Sequence, residues 1–345
     1  MPTEKRVISI STGTMIRAVL VVLGVGFLYL IRDIVAMLLV AILLAAVLDP
    51  IADFFAKRKI PRSLTVLAVY VLLFLLVGVL LFAIIPPMIE QARQVSGNFG
   101  AIWDKVVSSF ASLQKLSAHY GMEASFKQSI NTFTESFSGT FTNLYSTLTG
   151  VVSGIISFFV ILVIAFFLVV EKSSIRNIFM SFVPTERQEY ITGIFTKMQQ
   201  KVGQWLLGEI VLMLFVGVLS YVGLLAFGVD YALLLAVVAG ITEVIPYIGP
   251  VIGGVPAVLF AFAISPTTGI LVFVLYFLIQ RVENAVLVPK IMQKATGLNP
   301  IFAILALAIG FTVGGIAGGL LAIPVATAGN VLLSEYLAKQ NKTNS

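Results

Sequence analysis

The stretch Ile245-Pro-Tyr-Ile-Gly-Pro-Val-Ile-Gly-Gly-Val-Pro256 interrupts an apolar segment that runs from Tyr231 to Ile264. A membrane-spanning helix needs about 20 apolar residues, so this segment is too long for one crossing. Proline removes a backbone donor and glycine loosens a helix, so we expect two half-helices with a break between them. The residues predicted to form the break are Pro246, Gly249, Pro250, Gly253, Gly254 and Pro256.

A second apolar segment, Ile301–Ser334, has the same excess length and the same interruption. Its breaking residues are Gly314, Gly315, Gly318, Gly319 and Pro324, and further breaks are expected before it at Pro289, Gly297 and Pro300. Paired Gly/Pro-interrupted segments point to the binding site of a transporter, because unwound backbone at membrane depth needs protein or a water-filled cavity around it. The alternative is close helix packing at small residues.

The rest of the 345-residue chain has the composition of a membrane protein. Apolar residues make up 59% and charged residues 11%, with a mean hydropathy of +1.05, whereas a soluble domain has about 25% charged residues. A cytosolic globular enzyme is therefore excluded. Further spans are predicted at Ala18–Ile31, Ile34–Leu48, Leu64–Ile85, Val151–Val170, Ile210–Val229 and Thr267–Val288. The predicted fold is an all-α polytopic membrane protein with about eight membrane segments, the two interrupted ones folding as re-entrant or helical hairpins.

Positive charge orients the chain. The dense segment 57–62, KRKIPR, is predicted to be cytoplasmic by the positive-inside rule, and residues 86–150 to be external. Both termini then face the cytoplasm of a prokaryotic cell, with the chain in its cytoplasmic (inner) membrane. This charge pattern explains the formal charge of +6 without nucleic-acid binding. Four regions are expected, namely 1–85 with three spans, the external insertion 86–150, 151–205 with one span and a cytoplasmic amphipathic segment, and a transport core 206–345.

Several chemistries lack the residues they need. The chain has no cysteine and one histidine, His119, which argues against disulfides, metal sites and a Ser-His triad. We find no GxxxxGK[ST] phosphate loop. We therefore expect no catalytic residues, no cofactor and no metal, and the lipid bilayer as the main partner.

The external insertion has the pattern of an amphipathic helical hairpin. One stripe of apolar residues recurs at steps of three and four, at Phe126, Ile130, Phe133, Phe137, Phe141, Leu144 and Leu148. The hairpin either buries this stripe against its own partner helix or uses it as a subunit contact, which predicts a homo-oligomer formed through residues 86–150.

Polar residues near the end of the span at Thr267–Val288 form a candidate site. Gln280, Glu283 and Asn284 lie at i, i+3 and i+4, on one helix face. Arg281 points elsewhere and should pair with an acid from another segment, because a lone charge in hydrocarbon is costly. Glu243 is the first candidate partner and Glu209 the second. These residues are expected to bind substrate or relay a coupling ion; alternatively, Arg281 and Glu283 lie at the cytoplasmic rim, where Arg281 snorkels.

Four stretches resemble one known family. They are Ile245–Pro256, Glu283–Met292, Thr296–Pro300 and Gly318–Pro324. The sequence is similar to the autoinducer-2 exporter (AI-2E) family of bacterial and archaeal permeases over nearly its whole length. The resemblance implies export of a small polar signalling molecule in some members and sodium (or lithium)/proton antiport in others. Some members carry an amide where this chain has Glu243, and an acid there favours proton or cation coupling.

The predicted function is secondary transport by alternating access. Efflux of a small polar solute, such as an autoinducer-2-like signal, ranks first, and Na+(Li+)/H+ antiport is the alternative. H+ and Na+ are the candidate coupling ions. A non-transporting scaffold or a channel is the second alternative.

Overall fold

The computed structural model describes residues 12–109, 151–292 and 296–343, and these ranges form helices joined by short turns. In chain order the helices are α1 Thr12–Leu30, α2 Arg32–Ala56, α3 Arg62–Ser109, α4 Val151–Val170, α5 Lys172–Ser181, α6 Thr185–Ala226, α7 Ala232–Thr242, α8 Gly249–Ile264, α9 Pro266–Val282, a π-helical segment Glu283–Met292, and α10 Pro300–Thr343. The predicted all-helical class is confirmed over these ranges.

Five of the described helices are long and apolar enough to cross a membrane, and a sixth span arises if α4 and α5, bent by 75°, count as one. The predicted number of about eight spans is not confirmed. The shorter apolar helices α7 and α8 are part of the reason, since each half of an interrupted segment is too short to span a membrane by itself. The Phe-rich stripe of the external insertion lies outside the described residues.

Individual spans agree with the sequence to different degrees. Only Ile31 separates α1 from α2, and i→i−4 hydrogen bonds run across it, so the predicted tight turn at Arg32-Asp33 is not confirmed. α4 has the predicted bounds. Two helices are much longer than predicted: α3 has 48 residues and α6 has 42. At 1.5 Å per residue α3 is about 72 Å long, so it projects well beyond a bilayer. Long helices of this kind continue into polar sequence, where hydropathy alone gives no signal.

The projecting half of α3 covers the ends of α7 and α8. Met88, Ala92, Val95 and Phe99 pack in one buried cluster with residues of α6, α7, α8 and α9. Gln91 accepts a hydrogen bond from the backbone N–H of Leu234 (2.9 Å), in the first turn of α7, and Ser109 donates to the carbonyl of Phe262 (2.8 Å) near the end of α8. Backbone groups at helix ends need such partners. We call this side of the bundle its loop end.

A buried ionic cluster holds the opposite side together. Asp49 of α2 accepts from Arg62 of α3, from Lys172 of α5 and from Gln199 of α6, the last at 2.6 Å. Asp53 also pairs with Arg62, at 2.9 Å. Four helices therefore meet at one carboxylate that is almost fully buried. The cluster contains part of the basic segment that the charge pattern predicts to be cytoplasmic.

The second interrupted segment, α10, turns back on itself as its glycines predict. Gly315 has φ 58° and ψ −142°, a conformation that only glycine adopts readily. On either side of it, Gly310 and Gly318 bring their backbones into contact, and Gly319 packs on the ring of Phe311. A side chain at Gly310 or Gly318 would collide with the facing backbone. The predicted break is thus confirmed, and it lies at Gly315.

Candidate functional site

The predicted break in the first interrupted segment lies between α7 and α8, over residues 243–248. The chain reverses direction here, because Thr242 at the end of α7 donates its hydroxyl to the carbonyl of Gly249 at the start of α8 (3.0 Å). Tyr247 has φ 68°, an uncommon backbone conformation for a residue with a side chain. Such strain is found where surrounding packing imposes it, often at functional sites.

Two of the predicted glycines allow the close approach of α7 and α8. A Cβ at Gly249 would lie 2.6 Å from the carbonyl carbon of Thr242 and 2.7 Å from the Cα of Glu243. Gly253 packs in the same way on Ala239 one turn further along. Gly254, by contrast, faces the ring of Tyr276 on α9, and Pro256 is buried within α8. The glycines and prolines thus place Glu243 directly at the turn of a tightly packed pair.

Three glutamates from separate parts of the chain meet beside this turn. Glu209 lies on α6, Glu243 follows α7, and Glu283 begins the π-helical segment; their exposed fractions are 1%, 2% and 4%. The carboxyl groups of Glu243 and Glu283 are within hydrogen-bonding reach of each other, and Glu209 is close enough to interact electrostatically with both. Gln280 donates to Glu283 (3.2 Å). The structure therefore brings together four of the six predicted site residues.

These glutamates lie deep in the bundle. Glu243 is about 16 Å along α7 from the loop end, and Glu283 is about 25 Å along α9, at 1.5 Å per residue. The hydrocarbon core of a bilayer is about 30 Å thick. Both distances are smaller than this thickness, and an unpaired charge in an apolar interior of this kind is costly.

Within the described ranges, no lysine or arginine forms an ion pair with Glu209, Glu243 or Glu283. One oxygen of Glu209 and one of Glu243 are buried without a hydrogen-bond partner. Two carboxylates cannot donate to each other, so the contact of Glu243 with Glu283 requires a proton on one of them or a cation between them. In the described part of the chain, no group of three or more acidic, histidine or cysteine side chains has an arrangement that could hold a metal ion.

The proposed pairing of Arg281 with Glu243 or Glu209 is wrong. Among the described residues Arg281 has no acidic partner, and its guanidinium lies over the ring of Phe277, 4.9 Å from the ring centre. It is exposed, as is Asn284. The physical reason is position: Arg281 points to the outside of the bundle, where a long side chain can keep its charge near polar surroundings.

An apolar cleft of about 470 Å³ reaches Glu243 from the side of the bundle. Its walls come mainly from α8 and α9, with Val216 of α6 and Ala239 of α7 at its inner end. Of the predicted residues, Glu243 and Gln280 of the candidate ion site and Pro250 and Gly254 of the first break line it. Sequence reasoning missed Tyr276, which also lines the cleft and whose buried hydroxyl lies close enough to the buried hydroxyl of Ser220 to interact with it. Isolated hydroxyl residues in an apolar span give no distinctive sequence signal.

The remaining predicted break residues do not line this cleft. Gly314 and Gly315 have open space around them, and Pro324 is buried in the second arm of α10. Gly297 has a positive φ and its carbonyl accepts from Asn330 (3.2 Å), next to Pro300 at the start of α10. Pro289 lies within the π-helical segment that follows Glu283. The two interrupted segments are in contact, because Ile245 of the first break packs against a buried cluster to which α2, α6 and α10 contribute, and α10 is the second interrupted segment.

The comparison with known sequences decides the family. The sequence profile described as "AI-2E family transporter" matches residues 18–338. The chain belongs to the AI-2E transporter family. It is 26% identical over 317 residues to the Bacillus subtilis "Putative transport protein YrrI", covering 90% of this chain and 89% of that protein. YueF of the same organism, with the same description, is 28% identical over 301 residues, covering 84% and 80%.

The AI-2E protein is also similar, over a shorter stretch, to a protein described as a permease. It is 30% identical over 166 residues to the "Putative permease PerM" of Escherichia coli K12, covering 47% of this chain and 46% of that protein. Membership of the family and the long apolar helices, most of whose surface is exposed, together identify a polytopic membrane protein of transporter type. The resemblance predicted from four sequence stretches is therefore confirmed.

Proposed function

We propose that this AI-2E protein is a secondary transporter in which the carboxyl groups of Glu243 and Glu283 carry a coupling proton. The contact between these two buried acids, without a basic partner among the described residues, is the observation on which the proposal rests. A shared proton can leave when a solute or cation takes its place, and it returns when the site empties. Exchange of this kind is the basis of coupled transport in membranes.

The turn between α7 and α8 provides the means of exposing the pair. Glu243 is held on the α7–α8 turn, whereas Glu283 starts the π-helical segment after α9. A small displacement of the turn separates the two carboxyl groups and opens a path to one side of the membrane. Alternating access in this form requires the turn and α9 to move relative to each other.

Export of a small polar solute remains the first candidate activity, with H+ moving in the opposite direction. Na+(Li+)/H+ antiport is the second, because two carboxyl groups with a free oxygen on Glu243 offer ligands for a small cation as well as for a proton. Both activities use the same pair, and neither requires a reaction catalysed by the protein.

The test is flux in liposomes that contain the purified protein and an internal pH-sensitive dye. A proton gradient is imposed, and sodium, lithium or potassium salts are then added in turn, with protein-free liposomes as the control. Dequenching with one cation establishes antiport. No response to any cation leaves solute export, which is then tested by comparing extracellular metabolites of cells with and without the protein. A fast response that does not depend on the proton gradient indicates a channel and contradicts the proposal.

The membrane orientation belongs to the same proposal. We place the loop with Lys57 to Arg62, and both termini, on the cytoplasmic side of the inner membrane. The loop end of the bundle then faces outwards, together with the insertion at 86–150, through which we propose that the protein forms a homo-oligomer. Labelling of single cysteines introduced at Lys59 and at Gly228 in intact cells distinguishes this orientation from its opposite, since the native chain has no cysteine.

A further inference from the structure

The cleft that reaches Glu243 opens at the surface of the bundle between α8 and α9. Four apolar residues at its mouth are exposed by 39% to 60%, namely Val251, Val255, Phe273 and Phe277. α9 belongs to a helix that is long and apolar enough to cross a membrane, and the shorter apolar helix α8 packs along it. On this placement the mouth opens towards lipid, from which a molecule can enter it.

The inner end of the cleft differs from its walls. Glu243 lies there with an exposed fraction of 2% and one carboxyl oxygen that has no partner. Gln280 lies beside it, with its amide already donated to Glu283. The site thus combines a long apolar surface with one buried acceptor that lacks a donor, and buried polar groups in this state call for a partner.

Charge selects among the molecules that could enter. At the inner end an anionic head group would be repelled by the carboxyl groups of Glu243 and Glu283. Arg281 does not line the cleft, and its guanidinium lies over the ring of Phe277 at the mouth. Most of the lining side chains are apolar, so the cleft offers a small polar solute few hydrogen bonds, and we expect such a solute to reach the carboxyl pair from the aqueous side instead. A protonated amine on an apolar body fits both the inner end and the mouth of the cleft. Its ammonium group donates a hydrogen bond to Glu243, while the apolar body covers Val255 and Phe277.

We propose that this cleft binds a cationic amphiphile, with its amine at Glu243 and its apolar body between α8 and α9, and that the molecule enters sideways from the membrane. The proposal rests on the proposed function, since the amine takes the place of the proton on the same carboxyl pair. No covalent step is involved: the amine leaves with its own proton when Glu243 is protonated again.

The test uses a diazirine derivative of dodecylamine as a photoreactive probe in liposomes with the full-length protein, without any gradient. Labelled peptides are identified by mass spectrometry. We expect labelling of 251–255 and 273–277 that dodecylamine competes away and dodecanoate does not. Val255→Trp, which fills the mouth, should lower labelling about tenfold or more, whereas the same change at the exposed Val79 of α3 should leave it unchanged. Glu243→Gln, which keeps the shape of the cleft, should lower labelling by a similar factor.

Three results would overturn the inference. One is equal competition by dodecylamine and dodecanoate, which indicates an unselective lipid groove. Another is unchanged labelling in Val255→Trp. The third is cross-linking of these positions to a second copy of the chain, which makes the cleft a subunit interface. Labelling is measured without a gradient, so it is independent of proton flux. If labelling is absent while proton flux is intact, the amphiphile site is refuted and proton coupling is not. If labelling is selective while proton flux is absent, proton coupling is refuted and the amphiphile site is not.

Discussion

Glu243 follows α7 and Glu283 follows α9, yet their carboxyl groups are within hydrogen-bonding reach of each other inside the bundle. Neither has a basic partner among the described residues. A pair of this kind is stable in a low-dielectric interior only with a proton or a cation in place. The α7–α8 turn therefore does more than reverse the chain, because it positions one of the two acids to which we assign the coupling proton.

Gly249 should be required for the α7–α8 turn that positions Glu243. In Gly249→Ala the new Cβ collides with the backbone of Thr242 and Glu243, so the turn must shift, at a cost of about 1–3 kcal/mol in stability. Proton flux should fall with it. The control is Gly314→Ala, which meets open space in a helix and should be neutral or slightly stabilising. Thermal unfolding in detergent measures both, and equal melting temperatures would contradict the assigned role of Gly249.

A side chain of α3 should stabilise the beginning of α7. Gln91→Ala removes the acceptor for the N–H of Leu234, a residue with no exposed surface, which should cost about 1–3 kcal/mol. The matched control is Gln94→Ala, since Gln94 bonds only an exposed glutamate on its own helix. Hydrogen exchange at the first turn of α7 reports the local effect. Identical exchange in the two variants would show that the Gln91 contact contributes nothing.

The ionic cluster at Asp49 should hold four helices together. Asp49→Asn leaves Arg62 and Lys172 with Asp53 as their remaining acid, and we expect a loss of about 1–3 kcal/mol, reduced by the partial exposure of both cations. Asp33→Asn is the control, because Asp33 is highly exposed and its ion pair with Arg32 measures 4.0 Å. This control should leave the melting temperature unchanged. If Asp49→Asn also leaves the melting temperature unchanged, the ionic cluster does not contribute to stability.

Breaks within the helices of this fold can be predicted from the sequence more accurately than contacts between the helices. Pro246 and Gly249 identify the first break because proline and glycine act on the local backbone, and Gly315 does the same for the second. The partner of Arg281 was predicted wrongly, because the direction of a side chain depends on helix rotation, which only packing decides. The full length of α3 was also missed, since its outer half is polar and is stabilised by contacts with α7 and α8.

In the candidate site, too, the sequence identifies individual residues but does not show how they pack together. Glu209, Glu243 and Glu283 stand out in the sequence because acids are rare in apolar spans. The sequence grouped them only through an expected pairing with Arg281, and the direct contact of Glu243 with Glu283 could not be predicted, since the three acids belong to three different elements. The apolar cleft is equally invisible in sequence, because Val251 and Phe273 resemble any other lipid-facing residues until α8 and α9 are placed side by side.

The most direct test of the account is the initial rate of proton movement in liposomes for Glu243→Gln and Glu283→Gln. Each variant removes one acid of the pair and keeps its size. The control is Glu90→Gln, an exposed acid on α3 that bonds only Gln94. We predict that both variants of the pair fall to the rate of protein-free liposomes, while Glu90→Gln keeps the wild-type rate. A wild-type rate in Glu243→Gln, with the variant folded and inserted, would contradict proton coupling at this site.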